Sequence, residues 1–215
     1  MISKLIFGLG TGRCGTWTLS KVFAAQKDVG ALHENVPLPW KRDEGLFAKR
    51  VLDLAINIDD PIVASVSYVW INYVGLIMGT IKDPRCICLK RPMDQVVESF
   101  LAHSPNNNHW TDPTSPHWRP TKDTHTTISY QWPKYDLPKA EALEAYWKEY
   151  YAKAEYLADR YPDNFMIIDM EMALNDMASQ REMLAFAGID YDKQVFILDQ
   201  KLNALHKPKG EPAHV

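Results

Sequence analysis

The stretch KLIFGLGTGRCGTWTLSKVF, residues 4–23, sets the architecture of the chain. Its apolar start predicts a β-strand over residues 4–9, and its amphipathic end predicts the beginning of a helix over residues 16–27. Four glycines lie between residues 8 and 15. A strand, a glycine-rich loop and a helix in this order direct backbone N–H groups and the positive end of a helix dipole at one place. The stretch therefore predicts an anion-binding loop.

Composition restricts the class of protein. The 215 residues suffice for one domain spanning 1–215, and 46% hydrophobic with 24% charged residues is ordinary for a globular chain. A net charge of −3 argues against nucleic acid as a partner. The apolar window 62–81 contains serine, asparagine and tyrosine, which favours a buried strand and helix over a membrane span. Without a secretory signal or a disulfide framework, we expect a cytoplasmic protein.

Strand and helix patterns alternate along the chain. Short apolar or β-branched runs predict further strands at 29–37, 61–67, 85–90 and 165–169. Longer segments predict helices at 43–58, 70–81, 92–103, 139–161 and 176–188. This alternation implies an α/β fold, with a mostly parallel central sheet and helices on both faces. Ligands bind such sheets at the C-terminal ends of the strands, where the glycine-rich loop lies.

The loop is P-loop-like but departs from the nucleotide-hydrolase pattern G-x-x-x-x-G-K-[ST]. Gly10 and Gly15 have the right spacing, but Thr16 and Trp17 stand in place of the lysine and the hydroxyl residue that binds magnesium. The cation lies inside the loop instead, as Arg13. This pattern favours a metal-free clamp on a phosphosulfate or a similar anion over magnesium-dependent triphosphate chemistry.

The run Arg13-Cys14-Gly15-Thr16 resembles the 5′-phosphosulfate-binding loop of sulfotransferases that use 3′-phosphoadenosine 5′-phosphosulfate (PAPS). The resemblance implies that residues 12–17 bind the co-substrate: Gly12, Arg13, Cys14, Gly15, Thr16 and Trp17. The ring of Trp17 would stack on adenine or fill the core.

Two later segments extend the resemblance. Arg91 at a strand end and Ser99 eight residues on are similar to the family's 3′-phosphate motif, although Pro92 follows the arginine directly. Residues 145–189 resemble the family's long helix, strand, turn and short helix. Lys207 and Lys209 in the basic tail would close over the nucleotide or remain a solvated tail.

The resemblance implies in-line transfer of a sulfuryl group from PAPS to a hydroxyl or amine of a small-molecule or carbohydrate acceptor. Arg13 would stabilise the charge that develops on the leaving nucleotide. Glu34, just after the second strand, is the favoured general base, and His33 is the alternative. The long loop at 104–137 is interpreted as a lid over the acceptor.

Two other classes of protein are compatible with this sequence pattern. A P-loop nucleotide or small-molecule kinase would share the strand–loop–helix unit, and so would a nucleotide-binding module that has lost catalysis. No metal site is expected, because the histidines of the long loop lie on no regular element. The sequence does not indicate an oligomeric state.

Overall fold

The computed structural model describes residues 4–34, 60–103, 111, 135–190, 192 and 194–198. Three of the sequence predictions lie outside these residues, wholly or for the most part: the helix at 43–58, the loop at 104–137, and the tail with Lys207 and Lys209.

The described strands form one five-stranded sheet in which every pairing is parallel. The strands are β1 Lys4–Leu9, β2 Val29–His33, β3 Ile62–Val66, β4 Arg85–Lys90 and β5 Phe165–Asp169. Their order across the sheet is β2-β3-β1-β4-β5. The predicted α/β fold with a parallel sheet is thereby confirmed.

The described helices lie at or near their predicted positions, with two differences. Their bounds are α1 Thr16–Ala24, a 3₁₀ helix Tyr68–Asn72, α2 Val74–Thr80, α3 Met93–His103, α4 Lys139–Arg160, α5 Met170–Asn175 and α6 Met177–Phe186. The single helix predicted at 70–81 was wrong, since the 3₁₀ helix and α2 divide that segment.

The second difference is α5, which the sequence did not predict. It forms because the Asp169 carboxylate accepts hydrogen bonds from the N–H groups of Glu171 and Met172, at 2.8 and 3.1 Å. Asp176 ends α5 and caps α6 in the same way. Gly188, at φ 76°, follows the end of α6 and lies at the predicted C-terminal bound of this helix.

Alternation along β1 sends its side chains into two cores. Leu5, Phe7 and Leu9 face a core completed by the 3₁₀ helix, α2, α3 and α4. Ile6 faces the opposite core, which α1, α5 and α6 complete. Helices therefore cover both faces of the sheet, and the buried strands account for the nearly continuous apolar runs in the sequence.

Two buried glutamines hold the segment 194–198 against the domain. Gln26 exchanges hydrogen bonds with both backbone groups of Val195, at 2.7 and 2.9 Å. Gln180 does the same with Ile197, at 3.0 and 2.9 Å. Because each amide group matches one donor and one acceptor of the backbone, the segment is fixed without joining the sheet.

The strand order places a topological switch point between β1 and β4. After β1 the chain moves through α1 toward β2 at one edge of the sheet, and after β4 it moves toward β5 at the other edge. The connections leaving the two strands therefore diverge and open a crevice at their carboxyl ends. The glycine-rich loop and Arg91 both lie at this crevice.

Candidate active site

The loop after β1 is shaped by residues in the left-handed region of backbone conformation. Gly12, Arg13 and Gly15 have φ values of 80°, 54° and 83°. A side chain at position 15 would meet Leu174 of α5, because a Cβ atom there would lie 2.7 Å from the Leu174 Cδ1 atom. Glycine is thus required where the loop turns into α1.

The N-terminus of α1 has no side-chain cap. Gly15 precedes the helix and offers no hydrogen-bonding side chain, and the first turn contains no acidic residue. The N–H groups of this turn and the positive end of the helix dipole face the crevice without a carboxylate to balance them. An anion at this position would supply the missing acceptor.

Arg13, Arg91 and Ser99 form one connected group. The Arg13 Nε atom donates to the Ser99 hydroxyl at 3.2 Å, and the Arg91 Nη1 atom donates to the Arg13 carbonyl oxygen at 2.7 Å. Gln95 of α3 accepts from the Arg91 Nε atom at 3.1 Å. The structure therefore brings together three residues that the sequence singled out, with Ser99 contacting Arg13 rather than Arg91.

The two guanidinium groups place like charges side by side. Partial burial lowers the pKa of Arg13, and the positive charge of Arg91 lowers it further. Among residues 4–34, 60–103 and 135–190, neither guanidinium forms an ion pair with a carboxylate. Two adjacent cations without a counter-charge, beside an uncapped helix N-terminus, are typical of a site for a multiply charged anion.

His33, at the end of β2, contacts the same loop. Its Nε2 atom lies 3.3 Å from the Thr16 hydroxyl oxygen, and its ring packs edge-on against Trp17 with centroids 5.2 Å apart. Burial lowers the pKa of His33; the carboxylate of Glu34 opposes this shift, and the ammonium of Lys21 adds to it. The imidazole is therefore shifted toward its neutral form.

Trp17 and Glu34 both lie at the surface. Trp17 is 39% exposed, so its ring is not part of the core, and the Lys21 ammonium lies 4.4 Å from the ring centroid. Glu34 is exposed, with φ 52°, and its N–H group continues the sheet by donating to the Val66 carbonyl oxygen at 3.0 Å. Its side chain stands at the carboxyl end of β2.

Cys14 points into the protein from the loop. It is fully buried, and a Cβ atom at Gly10 would lie only 2.2 Å from its sulfur. Burial raises the pKa of the thiol to about 11, although the nearby amides of Gly12 and Thr16 oppose the shift. Cys14 is thus a protonated packing residue whose backbone, rather than its thiol, faces the crevice.

Sequence reasoning missed the contacts that α4 makes with the glycine-rich loop. The Tyr150 hydroxyl accepts from the Gly10 N–H group and donates to the Tyr68 carbonyl oxygen, each at 3.0 Å. The Tyr146 hydroxyl donates to the Thr11 carbonyl oxygen at 3.0 Å. The available signal was that this buried helical stripe carries tyrosine where phenylalanine or leucine would fill the same space.

The same face of α4 also reaches the end of β4. The Trp147 indole N–H group donates to the Arg91 carbonyl oxygen at 2.9 Å, and the Tyr151 hydroxyl donates to the Leu89 carbonyl oxygen at 2.8 Å. One helix face therefore contacts the backbone on both sides of the crevice.

An apolar groove of about 630 Å³ lies elsewhere, between α3 and α4, and none of the predicted site residues lines it. Its wall includes Met93, Val97 and Leu101 with Asp94 and Glu98. In the described part of the chain no group of three metal-binding side chains occurs. Nor does that part contain a helix long and apolar enough to cross a bilayer.

The fold and the crevice together define an α/β protein with a glycine-rich loop at the switch point of its sheet. No protein-family model and no curated protein matches the chain. Solved structures do match, and two of them are sulfotransferases.

The first of these structures is a sulfotransferase domain from the curacin biosynthetic pathway, at 13% sequence identity and a TM-score of 0.57 over 87% of this chain and 75% of that one. The second is a sulfotransferase from Alicyclobacillus acidocaldarius, at 16% identity and a TM-score of 0.56 over 97% and 88%. The chain thus has a sulfotransferase fold.

Proposed function

We propose that this chain is a sulfotransferase that takes a sulfuryl group from PAPS. The observation that carries the proposal is the pair of adjacent guanidinium groups, Arg13 and Arg91, without a carboxylate partner among the described residues. They lie beside the uncapped N-terminus of α1, in a fold shared with sulfotransferases. PAPS carries anionic groups on both the 5′ and the 3′ side of one nucleoside, which suits a site with two cations.

We assign the binding residues the following roles. Arg13, the first-turn amides of α1 and the Thr16 hydroxyl hold the 5′-phosphosulfate, and Arg91 with Ser99 holds the 3′-phosphate. The exposed face of Trp17 is available for adenine. We further propose that Lys207 and Lys209, which lie outside the described residues, contribute to nucleotide binding.

For the acceptor side, we propose Glu34 as the general base. Its exposed carboxylate stands at the carboxyl end of β2, where an acceptor can reach it from solvent. His33 is already engaged with Thr16 and Trp17. In the transfer, the acceptor hydroxyl or amine gives its proton to Glu34 and forms a bond to sulfur. The bond from sulfur to the bridging phosphate oxygen breaks, and 3′-phosphoadenosine 5′-phosphate leaves with that electron pair.

Isothermal titration calorimetry tests the co-substrate. We expect the chain to bind 3′-phosphoadenosine 5′-phosphate without added metal, and more tightly than ATP–Mg²⁺. Arg13→Ala and Arg91→Ala should each weaken binding by about 10- to 100-fold, because hydrogen bonds to charged groups are lost. Arg160→Ala removes a fully exposed arginine and is the matched control. Preference for ATP–Mg²⁺ would support a kinase instead and overturn the proposal.

A panel of hydroxyl and amine acceptors with labelled PAPS tests the reaction. Glu34→Gln should reduce sulfate transfer by about 10²- to 10⁴-fold while nucleotide binding is retained. His33→Ala should keep more activity, and Asp159→Asn should keep all of it. A loss confined to His33→Ala would reassign the base to His33. Tight nucleotide binding with no transfer to any acceptor would identify an inactive binding module.

A further inference from the structure

The aromatic side chains on one face of α4 form hydrogen bonds in addition to their apolar packing. Tyr146, Tyr150 and Tyr151 are 4%, 5% and 1% exposed, yet each directs its hydroxyl to a backbone group beyond the helix. A phenylalanine would fill the same space without a hydroxyl to satisfy. Buried tyrosine hydroxyls are useful where their hydrogen bonds fix a partner.

Two of these hydrogen bonds reach the glycine-rich loop, which forms one side of the crevice. Tyr146 and Tyr150 bind the backbone of Thr11 and Gly10, two and three residues before Arg13. The glycine-rich loop is thereby tied to α4 from its inner side. In a loop with several left-handed residues, such ties select one backbone arrangement out of many.

Trp147 contacts the other side of the crevice, at the end of β4. Its indole N–H group donates to the backbone carbonyl oxygen of Arg91 itself, the residue whose side chain reaches back to the Arg13 carbonyl oxygen. The Trp147 ring is held in turn by Tyr151, with centroids 4.7 Å apart. Helix α4 therefore contacts both the loop and the end of β4, and these two segments also contact each other.

We propose that Tyr146, Trp147 and Tyr150 are positioning residues that set the separation of the Arg13 and Arg91 guanidinium groups for the bound nucleotide. They act through the backbone and contact no ligand themselves. The identity of the ligand rests on the function proposed above, whereas the positioning itself rests on the contacts of α4. A rigid α-helix is well suited to this task, because its side chains keep a fixed spacing along the axis.

The test uses substitutions that keep the aromatic ring and remove the hydrogen bond. Tyr150→Phe, Tyr146→Phe and Trp147→Phe are compared with Tyr156→Phe, which changes a 61% exposed tyrosine of the same helix. The probe is 3′-phosphoadenosine 5′-phosphate in titration calorimetry, and thermal unfolding is recorded for each variant. We expect about 5- to 10-fold weaker binding for each of the first three variants and no change for Tyr156→Phe.

A double-mutant cycle separates positioning from general stability. If Trp147 acts through Arg91, the effect of Trp147→Phe on binding should disappear in an Arg91→Ala background. Equal effects in both backgrounds would overturn the proposal, and so would unchanged affinity in all three single variants. A further variant, Trp147→His, keeps an aromatic N–H donor and should bind more tightly than Trp147→Phe. If Trp147→Phe does not fold, the same cycle is run with Tyr146→Phe in an Arg13→Ala background.

Failure of the proposed function gives a different result. If the wild-type chain does not bind 3′-phosphoadenosine 5′-phosphate, the same cycle is run with inorganic pyrophosphate, a nucleotide-free anion with two charged ends. Pyrophosphate binding that depends on both arginines and on Trp147 would keep the positioning proposal and reject PAPS. A chain that binds neither probe would overturn both proposals.

Discussion

Replacement of Gly15 by alanine should be one of the most destabilising single methyl additions in this protein. Two costs combine at this residue. The backbone has φ 83°, a conformation that costs a residue with a Cβ atom about 1–2 kcal/mol. The new methyl group would lie 2.7 Å from the Leu174 Cδ1 atom and 3.1 Å from the Met170 Cγ atom. Overpacking of this kind adds about 1–3 kcal/mol, so we expect a total loss of about 2–5 kcal/mol.

Urea denaturation monitored by circular dichroism measures this loss as a change in the free energy of unfolding. The matched control is Gly75→Ala in α2, where an added Cβ atom meets nothing within 4 Å. That change should stabilise the protein by up to about 1 kcal/mol, because glycine is unfavourable in a helix. The two glycine-to-alanine variants therefore have opposite expected signs.

A second background separates the two costs of Gly15→Ala. In a Leu174→Ala protein the steric conflict with Leu174 is removed, so the added loss from Gly15→Ala should fall toward the backbone cost of about 1–2 kcal/mol. If Gly15→Ala proves no more destabilising than Gly75→Ala, the described packing of the loop against α5 is wrong.

Three further predictions follow from groups described above. The folded chain holds the pKa of His33 below its ordinary value of 6.5, so below pH 6.5 the unfolded chain binds a proton at His33 more readily than the folded chain does. The free energy of unfolding therefore decreases as the pH falls. His33→Gln should make this decrease smaller, as measured by unfolding at pH 5.5 and 7.5. Gln180→Ala should cost about 2–4 kcal/mol in the same assay, because several backbone groups lose a buried partner; an effect below 1 kcal/mol would contradict the bonding described. The thiols of Cys14, Cys86 and Cys88 are all buried, so a disulfide reagent at pH 8 should label none of them quickly in the native protein and all three in urea; rapid native labelling of Cys14 would place its sulfur at the surface instead.

The alternation of strands and helices could be predicted from the sequence because buried parallel strands leave clear apolar runs between amphipathic segments. The start of α5 could not be predicted, because it depends on the Asp169 side chain accepting hydrogen bonds from the backbone that follows it. An aspartate at the end of a strand does not by itself indicate a helix cap. The division of 70–81 was missed for a related reason. An apolar segment has no periodicity to reveal where a 3₁₀ turn replaces the α-helix.

The residues of the candidate site could be named from the sequence, but the contacts among them could not be predicted. Arg13 and Arg91 stand out in the sequence as cations beside glycine or at a strand end. Their mutual contact, and that of Ser99 with Arg13, depends on the order of the strands in the sheet, which the sequence pattern leaves open. The α4 tyrosines lie some 140 positions from the loop they bind, a separation at which local patterns carry no information.

The position of β1 in the sheet has a consequence for how this chain is made. Strand β1 takes the central place in the described sheet and is translated before both of its neighbours, which begin only at residues 62 and 85. During synthesis its apolar side chains and the backbone hydrogen-bonding groups on both of its edges remain without their native partners until β3 and β4 have been translated. Parallel pairing over such sequence distances is slow, so the nascent polypeptide should depend on chaperone protection until β4 has emerged.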